Sequence, residues 1–478
     1  MRRQRLVIVG GGVSGLAAAH TAVRQQGHPD SGPEVIVLER ASEVGGRSVS
    51  WARDGWLIEG GPSGYLDTEP TVTRLVEQAG LETEQLRARP AASRRFIYQR
   101  QRLHEIGPNL LKPVRSGLLG VAGVLRVFAE PAIRRRLDAG EESVWEFCRR
   151  RLGRQVADRI VRPAMLGIFA GDAERLSVDA CFPALRRLEQ EHGSILRGVM
   201  ARRRAKADAN DPPRSRKLTS FRRGLQQLPR SLARDPQIDV RTGLQVTGIR
   251  AVPETTAGAP EQGRRYVLDL EGAGHLSADA IVIASPVQVS ARLLHSLAPE
   301  AATLLAQVPV PPVVVVALGF SPTAARAFPQ GFGMLVSRGE GVRMLGCLWE
   351  SRIYPERSPD DHLLARAMFG GRLDPTALEL EDTELVALAR RELRSTLGIG
   401  EAPVLSRVVR WNHAIPQYEI GHVQIRQRVE HLLEALPGVY LAGDALEGVS
   451  FAKAAASGIR QGKRAVGYLR SVQRQREE

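Results

Sequence analysis

Cysteine is nearly absent: Cys148, Cys181 and Cys347 are the three in 478 residues. They are odd in number, far apart and without CxxC spacing, which argues against a disulfide framework and a zinc ribbon and favours a reducing, cytosolic compartment. No stretch reaches the roughly 18 apolar residues needed to cross a bilayer; the longest candidate, Val313 to Phe320, has strand length. Aromatic residues are sparse at 5%. No HExxH pair or nucleophile triad is recognisable, and the scattered histidines are expected to be structural. MRRQRLVIVGGGVSGLAAAH has the basic head and apolar run of an export signal, but Gly10, Gly11 and Gly12 interrupt the helix such a signal needs, so no targeting role is expected. What is present in quantity is positive charge. A formal +15 admits nucleic acid, an anionic membrane or a polyanionic substrate as partner, and composition does not choose among them. With 43% hydrophobic residues, the chain can bury a large core, and its length suggests two to three domains.

Leu6 to Val9 reads as a strand, and Val13 to Val23 as a helix of small and apolar residues. Between them Gly10, Gly12 and Gly15 have GxGxxG spacing. The first glycine allows the tight turn, the second lets backbone approach a pyrophosphate, and the third lets helix pack on strand. A second strand, Val35 to Leu38, ends in Glu39, placed to accept hydrogen bonds from ribose hydroxyls; a 2′-phosphate there would meet a like charge, which disfavours NADP. Directly after it come Gly45, Gly46 and Arg47. A nicotinamide fold has no use for this second glycine turn, whereas FAD has its diphosphate enclosed from a second side by such backbone and a cation. Near the other end, VYLAGDALEGV places Gly443 and Asp444 just past a strand. Taken alone, Asp444 serves equally well as a helix cap; the N-terminal fingerprint favours contact with flavin hydroxyls and a helix N-terminus facing the pyrophosphate.

The fold class expected is α/β: a discontinuous Rossmann-like FAD domain built from 1–90, 213–287 and 429–478, a mixed-sheet substrate domain at 288–428, and a helical insert at 91–212. Gly60, Gly61 and Pro62 form a further turn. The insert carries arginine runs at Arg134 to Arg136, Arg149 to Arg151 and Arg202 to Arg204. Each run reads individually as a solvated helix face, and together they suit an anionic membrane. Asn210 to Lys217 reads as a linker, and Glu254 to Gly263 as a loop tip. WNHAIPQYEIGH, Trp411 to His422, fits neither strand nor helix.

These motifs resemble the flavin monoamine oxidase superfamily and, within it, the oxygen-dependent protoporphyrinogen and coproporphyrinogen oxidases. LVIVGGGVSGLAAA, GGRS, GGPSGYLD, RRFIYQRQRLHEI, AGDAERLS, FRRGLQQL, QGFGMLV, IPQYEIGH and GDALEGV occur in family order over nearly the whole chain. IPQY followed by GH is the more specific signal, since the glycine fingerprint is shared by all relatives. The resemblance implies six-electron oxidation of a porphyrinogen by FAD, with oxygen regenerating the flavin and releasing hydrogen peroxide. It assigns Gly10, Gly12, Ser14, Gly15, Glu39, Arg40, Gly45, Gly46, Arg47, Gly60, Gly61, Pro62, Val246, Gly443, Asp444 and Val449 to the cofactor. It gives Arg95 to a propionate, and Phe332, Gly333, Leu335, Met368 and Tyr418 to the substrate cavity. It assigns no certain catalytic residue, and no metal is expected.

Ser450 to Lys453 depart from the family's usual Gly-Asn-Asp-Cys series after the last glycine motif, which puts the flavin contacts there in question. An amine oxidase, a carotenoid desaturase and a non-catalytic flavin-fold scaffold stay open as alternatives. The partners expected are the porphyrinogen, oxygen and an anionic membrane surface on the cytoplasmic side, with a homodimer admitted and nucleic acid excluded.

Overall fold

A computed structural model describes residues 3–25, 32–107, 114, 116–136, 140–208, 217–252 and 265–477. The loop tip at 254–263 and all of the expected linker except Lys217 lie outside the described residues. LVIV, VIVL and AIVI are continuous apolar runs, the pattern of strands buried on both faces. They form a five-stranded parallel sheet in the order Ile238–Thr242, Glu34–Glu39, Arg5–Val9, Ala280–Ile283, Val439–Leu441. One face packs on the helices Val13–Arg24 and Phe451–Glu477. The other packs on a three-stranded sheet and on the helices Val287–Leu294 and Pro299–Ala306. The two long helices approach at backbone distance: a Cβ on Gly458 would fall 2.0 Å from the Ser14 carbonyl oxygen, and one on Gly462 would fall 2.5 Å from that of Ala18.

The second body is a mixed seven-stranded sheet in the order Leu405–Trp411, Val313–Phe320, Leu363–Gly370, Gly346–Trp349, Gly333–Val336, Arg95–Gln99, Arg102–Ile106. Its far face packs on the helix Asp382–Leu397 through Leu385, Leu388, Ala389 and Leu393. Its last two strands lie in the stretch expected to be helical insert. The reason is local: Phe96, Ile97 and Tyr98 favour a pleated surface, and Arg100 and Gln101 adopt positive φ, which closes a two-residue hairpin. The arginines around this turn hide it in the sequence.

Residues 121–136 and 140–208 form the helical unit, including Val144–Leu152, Arg162–Phe169 and Pro183–His192 around Phe147, Met165, Phe169 and Leu188. The run Arg149 to Arg151 is only in part the solvated face expected: Arg149 is exposed, Arg150 half-buried. Arg151 is fully buried and paired with Glu130, while Arg150 bonds Glu142 and Glu189, each at 2.7 Å. Arg202 to Arg204 are exposed as expected.

Gly458 and Gly467 make a matched test of the helix packing, because a Cβ on Gly467 would meet nothing within 4 Å. Gly458→Ala should cost about 1–3 kcal/mol in urea unfolding. Gly467→Ala should be neutral or stabilise by up to about 1 kcal/mol.

Candidate functional site

The cradle begins where the strand Arg5–Val9 ends. Gly10 turns with φ 115°, and a Cβ on Gly15 would lie 1.9 Å from the Gly10 oxygen, so no other residue fits there. Glu39, at the end of the neighbouring strand, accepts the Gly11 N–H at 2.7 Å on one carboxylate oxygen and the Ala41 N–H at 2.9 Å on the other. Gly45 donates to the Gly11 carbonyl at 2.9 Å, and the Gly46 backbone lies against Gly12, so the two glycine turns meet main chain to main chain. The third turn closes on the second: a Cβ on Gly61 would sit 2.0 Å from the Arg47 oxygen. Pro62, half-buried, continues that turn. Gly243 and Leu244 donate to the carbonyls of Ala41 and Glu39, which brings the strand opening at Val246 beside the acid. Arg40 is exposed at the rim.

From the C-terminal side, Asp444 accepts a hydrogen bond from Arg47 at 2.6 Å. Gly443 lies against Ser14, and Val449 packs toward the helical unit near Ile415. Two buried polar atoms here have no partner, the Ser14 hydroxyl and one Arg47 guanidinium nitrogen. Buried donors are rarely left unsatisfied, and an anion among three glycine turns is what they would serve. The donor set therefore fits a dinucleotide diphosphate. Ser14, Arg47 and the backbone of the turns would hold the diphosphate, and Glu39 and Asp444 the hydroxyls.

Facing the cradle is the near side of the seven-stranded sheet. Val315, Met368, Gly346 and Leu335 stand in one cross-strand row, and Ala317, Arg366, Leu348 and Gly333 in the next row on the same face. Leu335, Leu348 and Met368 are half-buried, whereas Met334, Cys347 and Ala367 on the far face are at most 1% exposed. The near face is thus an open apolar wall. The helix Arg162–Phe169 borders it, with Leu335 filling the space that a side chain on Gly167 would occupy, and Met368 packs against a cluster that includes Leu166 and Ala170. At the wall's edge the exposed Arg95 guanidinium lies 5.1 Å from the Phe332 ring centre. Phe332 itself packs against a cluster that includes Ile353 and Tyr354.

A tie that sequence reasoning missed joins wall to cradle. Arg366, 2% exposed, donates to the carbonyls of Glu59 and Gly61 and to Ser63, and pairs with buried Glu350 at 2.7 Å. Arg357 lies 3.5 Å from Glu59, whose carboxyl burial pushes up while the Arg357 charge opposes the rise. Trp411 donates to the Gly60 carbonyl at 2.7 Å. The only signal available was an arginine inside the apolar strand LLARAMFG.

Tyr418 does not line the wall. It is 1% exposed, its hydroxyl donates to the Asp444 carbonyl at 2.6 Å, and its ring stacks on His422 at 4.1 Å. Pro416 and Gln417 turn it inward: the Gln417 N–H donates to the Pro309 carbonyl, and its side-chain amide donates to the carbonyls of Phe169 and Ile415. The acceptors that Gln417 and Tyr418 reach are all backbone carbonyls, and the turn is a joint between bodies. His422 bonds the Leu446 carbonyl at 2.9 Å, a geometry that puts its proton on Nε2.

A family model described as flavin-containing amine oxidoreductase matches residues 13–465. The chain is 32% identical to the chloroplastic protoporphyrinogen oxidase 1 of Arabidopsis thaliana, over 92% of this chain and 84% of that protein. It is 28% identical to the coproporphyrinogen III oxidase of Bacillus subtilis (strain 168), over 93% and 94%, and 31% identical to the protoporphyrinogen oxidase of Bos taurus, over 92% and 94%. A crystal structure from Exiguobacterium sp. 255-15 superposes with TM-score 0.80 at 26% identity, covering 98% and 99%. UDP-galactopyranose mutase, at 14% identity and TM-score 0.70, shares the fold.

Burial, reinforced by Arg426, pushes His422 from its ordinary 6.5 down to about 4. A depressed folded pKa gives stability that is present above the unfolded value and lost as pH falls through the folded one. The apoprotein should therefore lose on the order of 3 kcal/mol from this residue between about pH 6.5 and pH 4. Urea unfolding across that range should show the slope, and His422→Gln should flatten it.

Proposed function

The chain belongs to the flavin-containing amine oxidoreductase family, among the protoporphyrinogen and coproporphyrinogen oxidases, and on that premise we propose that it oxidises a porphyrinogen to a porphyrin with oxygen as acceptor. The observation that carries the reading is the half-open apolar wall of Leu335, Leu348 and Met368 opposite a dinucleotide cradle, with Arg95 and Phe332 at its edge. FAD, when bound, accepts electrons two at a time, so three rounds with three oxygen molecules convert one porphyrinogen to one porphyrin and three hydrogen peroxide.

The chain's own contribution is placement. The wall takes one apolar face of the macrocycle, and the Arg95 fork pairs with a propionate that remains at the solvent edge. Phe332 holds the guanidinium in place from below. Glu59 and Glu350, the carboxylates around Arg366, are committed to ion pairs, and Tyr418 is committed to the Asp444 carbonyl. None of these is free to act as a base, so the substrate's own pyrrole tautomerisation redistributes protons between rounds. Two propionates and four are both compatible with one assigned arginine, which leaves protoporphyrinogen IX and coproporphyrinogen III as the two candidate substrates.

The partner surface follows from the helix Val121–Phe128. Val121, Leu125 and Phe128, at i, i+4 and i+7, form one stripe that is 71%, 64% and 61% exposed. The helix contains no acidic residue, and the exposed Arg134, Arg135 and Arg136 follow it. An apolar stripe beside cations suits peripheral contact with an anionic bilayer. Among the described residues no helix is long and apolar enough to span one.

With FAD-loaded protein in air, porphyrin fluorescence and peroxide should rise together at three peroxides per porphyrin. Arg95→Leu should raise KM about tenfold to a hundredfold with a smaller fall in kcat, the loss of one charge-assisted contact. Fluorescence without peroxide, or an unchanged KM in the variant, would contradict the respective assignment. Replacing Val121, Leu125 and Phe128 together by serine should release the protein from vesicles containing phosphatidylglycerol in a sedimentation assay, with turnover in detergent unchanged.

A further inference from the structure

Asp444 and the chain that follows it form the C-terminal wall of the cradle, yet 444–449 is neither helix nor strand. The hydrogen bonds that could fix such a segment are few. Gly443 donates to Ser457 at its start, and Arg460 pairs with Glu447 on the exposed side. The inward side is held from another body altogether. Tyr418 donates to the Asp444 carbonyl at 2.6 Å, and His422 bonds the Leu446 carbonyl at 2.9 Å. The two rings stack at 4.1 Å with 20° between their planes, so each orients the other.

The pair is in turn anchored away from the cofactor. Ser177 donates to the Tyr418 carbonyl at 2.8 Å, and Gly421, with φ 95°, opens the helix His422–Glu434 while its N–H donates to Glu141. Neighbouring Gln417 pins the same turn to the end of the helix Arg162–Phe169. Two carbonyl acceptors, on either side of Ala445 in an otherwise irregular segment, are thus set by two stacked side chains from a turn braced against the helical unit.

We propose that Tyr418 and His422 are positioning residues for the dinucleotide: they fix the backbone of Asp444 to Leu446 so that the Asp444 carboxylate meets both Arg47 and the cofactor. This rests on the reading of the cradle as an FAD site and extends it to two residues that do not touch the ligand. Burial holds the Tyr418 hydroxyl well above its ordinary range and His422 well below its own, so both are neutral donors throughout the working pH. Each donor removed leaves a carbonyl unpaired and the segment free to move, which weakens FAD without breaking the core, since the phenylalanine ring preserves the stack.

The test is FAD titration of the apoprotein, followed by quenching of flavin fluorescence, alongside melting of the apoprotein. Tyr418→Phe and His422→Phe should each raise the FAD Kd by about tenfold, the equivalent of one orphaned buried acceptor. His422→Gln, which keeps an N–H near Nε2, should restore most of the affinity. Apoprotein melting should move by no more than a few degrees in Tyr418→Phe. An unchanged FAD Kd in both phenylalanine variants overturns the proposal. So does a loss of affinity that merely tracks a collapse of apoprotein melting, with no rescue by glutamine. Wild-type apoprotein that fails to quench flavin fluorescence overturns the FAD reading itself, a separate result from either of these.

Discussion

Main chain pressed against main chain is the constraint from which the rest of this structure follows. Gly10 against Gly15, Gly12 against Gly46, and Gly61 against Arg47 leave no room for a Cβ at the first turn or the third. Such contacts give up side-chain packing and carry the conformational cost of glycine. In return they expose backbone N–H groups at close range around the Ser14 hydroxyl and the Arg47 guanidinium, both with buried unpartnered donors. A cradle made this way is stiff only if its outer turns are held from behind. That work falls to the seven-stranded sheet, through Arg366 and Trp411 on the Glu59 to Gly61 carbonyls, and to the Tyr418 turn on Asp444.

Charge is used twice in this chain. The formal excess of +15 describes the surface, but several arginines are internal ties. Arg151 with Glu130 holds the helical unit, and Arg366 with Glu350 and Arg357 with Glu59 hold the joint between sheets. A buried pair of this kind gains little over apolar packing, while losing one partner costs about 3–5 kcal/mol, so its value lies in fixing one geometry. At the joint, that geometry is the distance between the apolar wall and the glycine cradle.

How much was legible depended on whether a residue's chemistry or its orientation carried the information. Gly10, Gly12, Gly15 and Glu39 were readable because strand, turn, helix and acid follow one another within a short span, and each has a local steric reason. Arg95 and Phe332 carried no local signal that they meet, because the contact joins segments far apart in the chain. Tyr418 was placed in the right turn with the wrong direction, since nothing local says that a tyrosine after Pro416 and Gln417 points inward to Asp444. Arg366 was invisible for the opposite reason: its partners Glu59, Gly61 and Glu350 come from three separate segments. The strands at 95–106 were lost beneath arginines that mimic a helix face, although Arg100 and Gln101 close an ordinary two-residue turn.

On the proposed function, the wall of Leu335, Leu348 and Met368 presents a reduced tetrapyrrole to FAD held in the glycine cradle. Mixing the FAD-loaded protein with coproporphyrinogen III or protoporphyrinogen IX under strict anaerobiosis, and following the visible flavin band by stopped flow, tests it most directly. Bleaching of the band by at least one of the two within a single turnover, with recovery on admitting oxygen, is the predicted result. A flavin that stays oxidised with both porphyrinogens would contradict it.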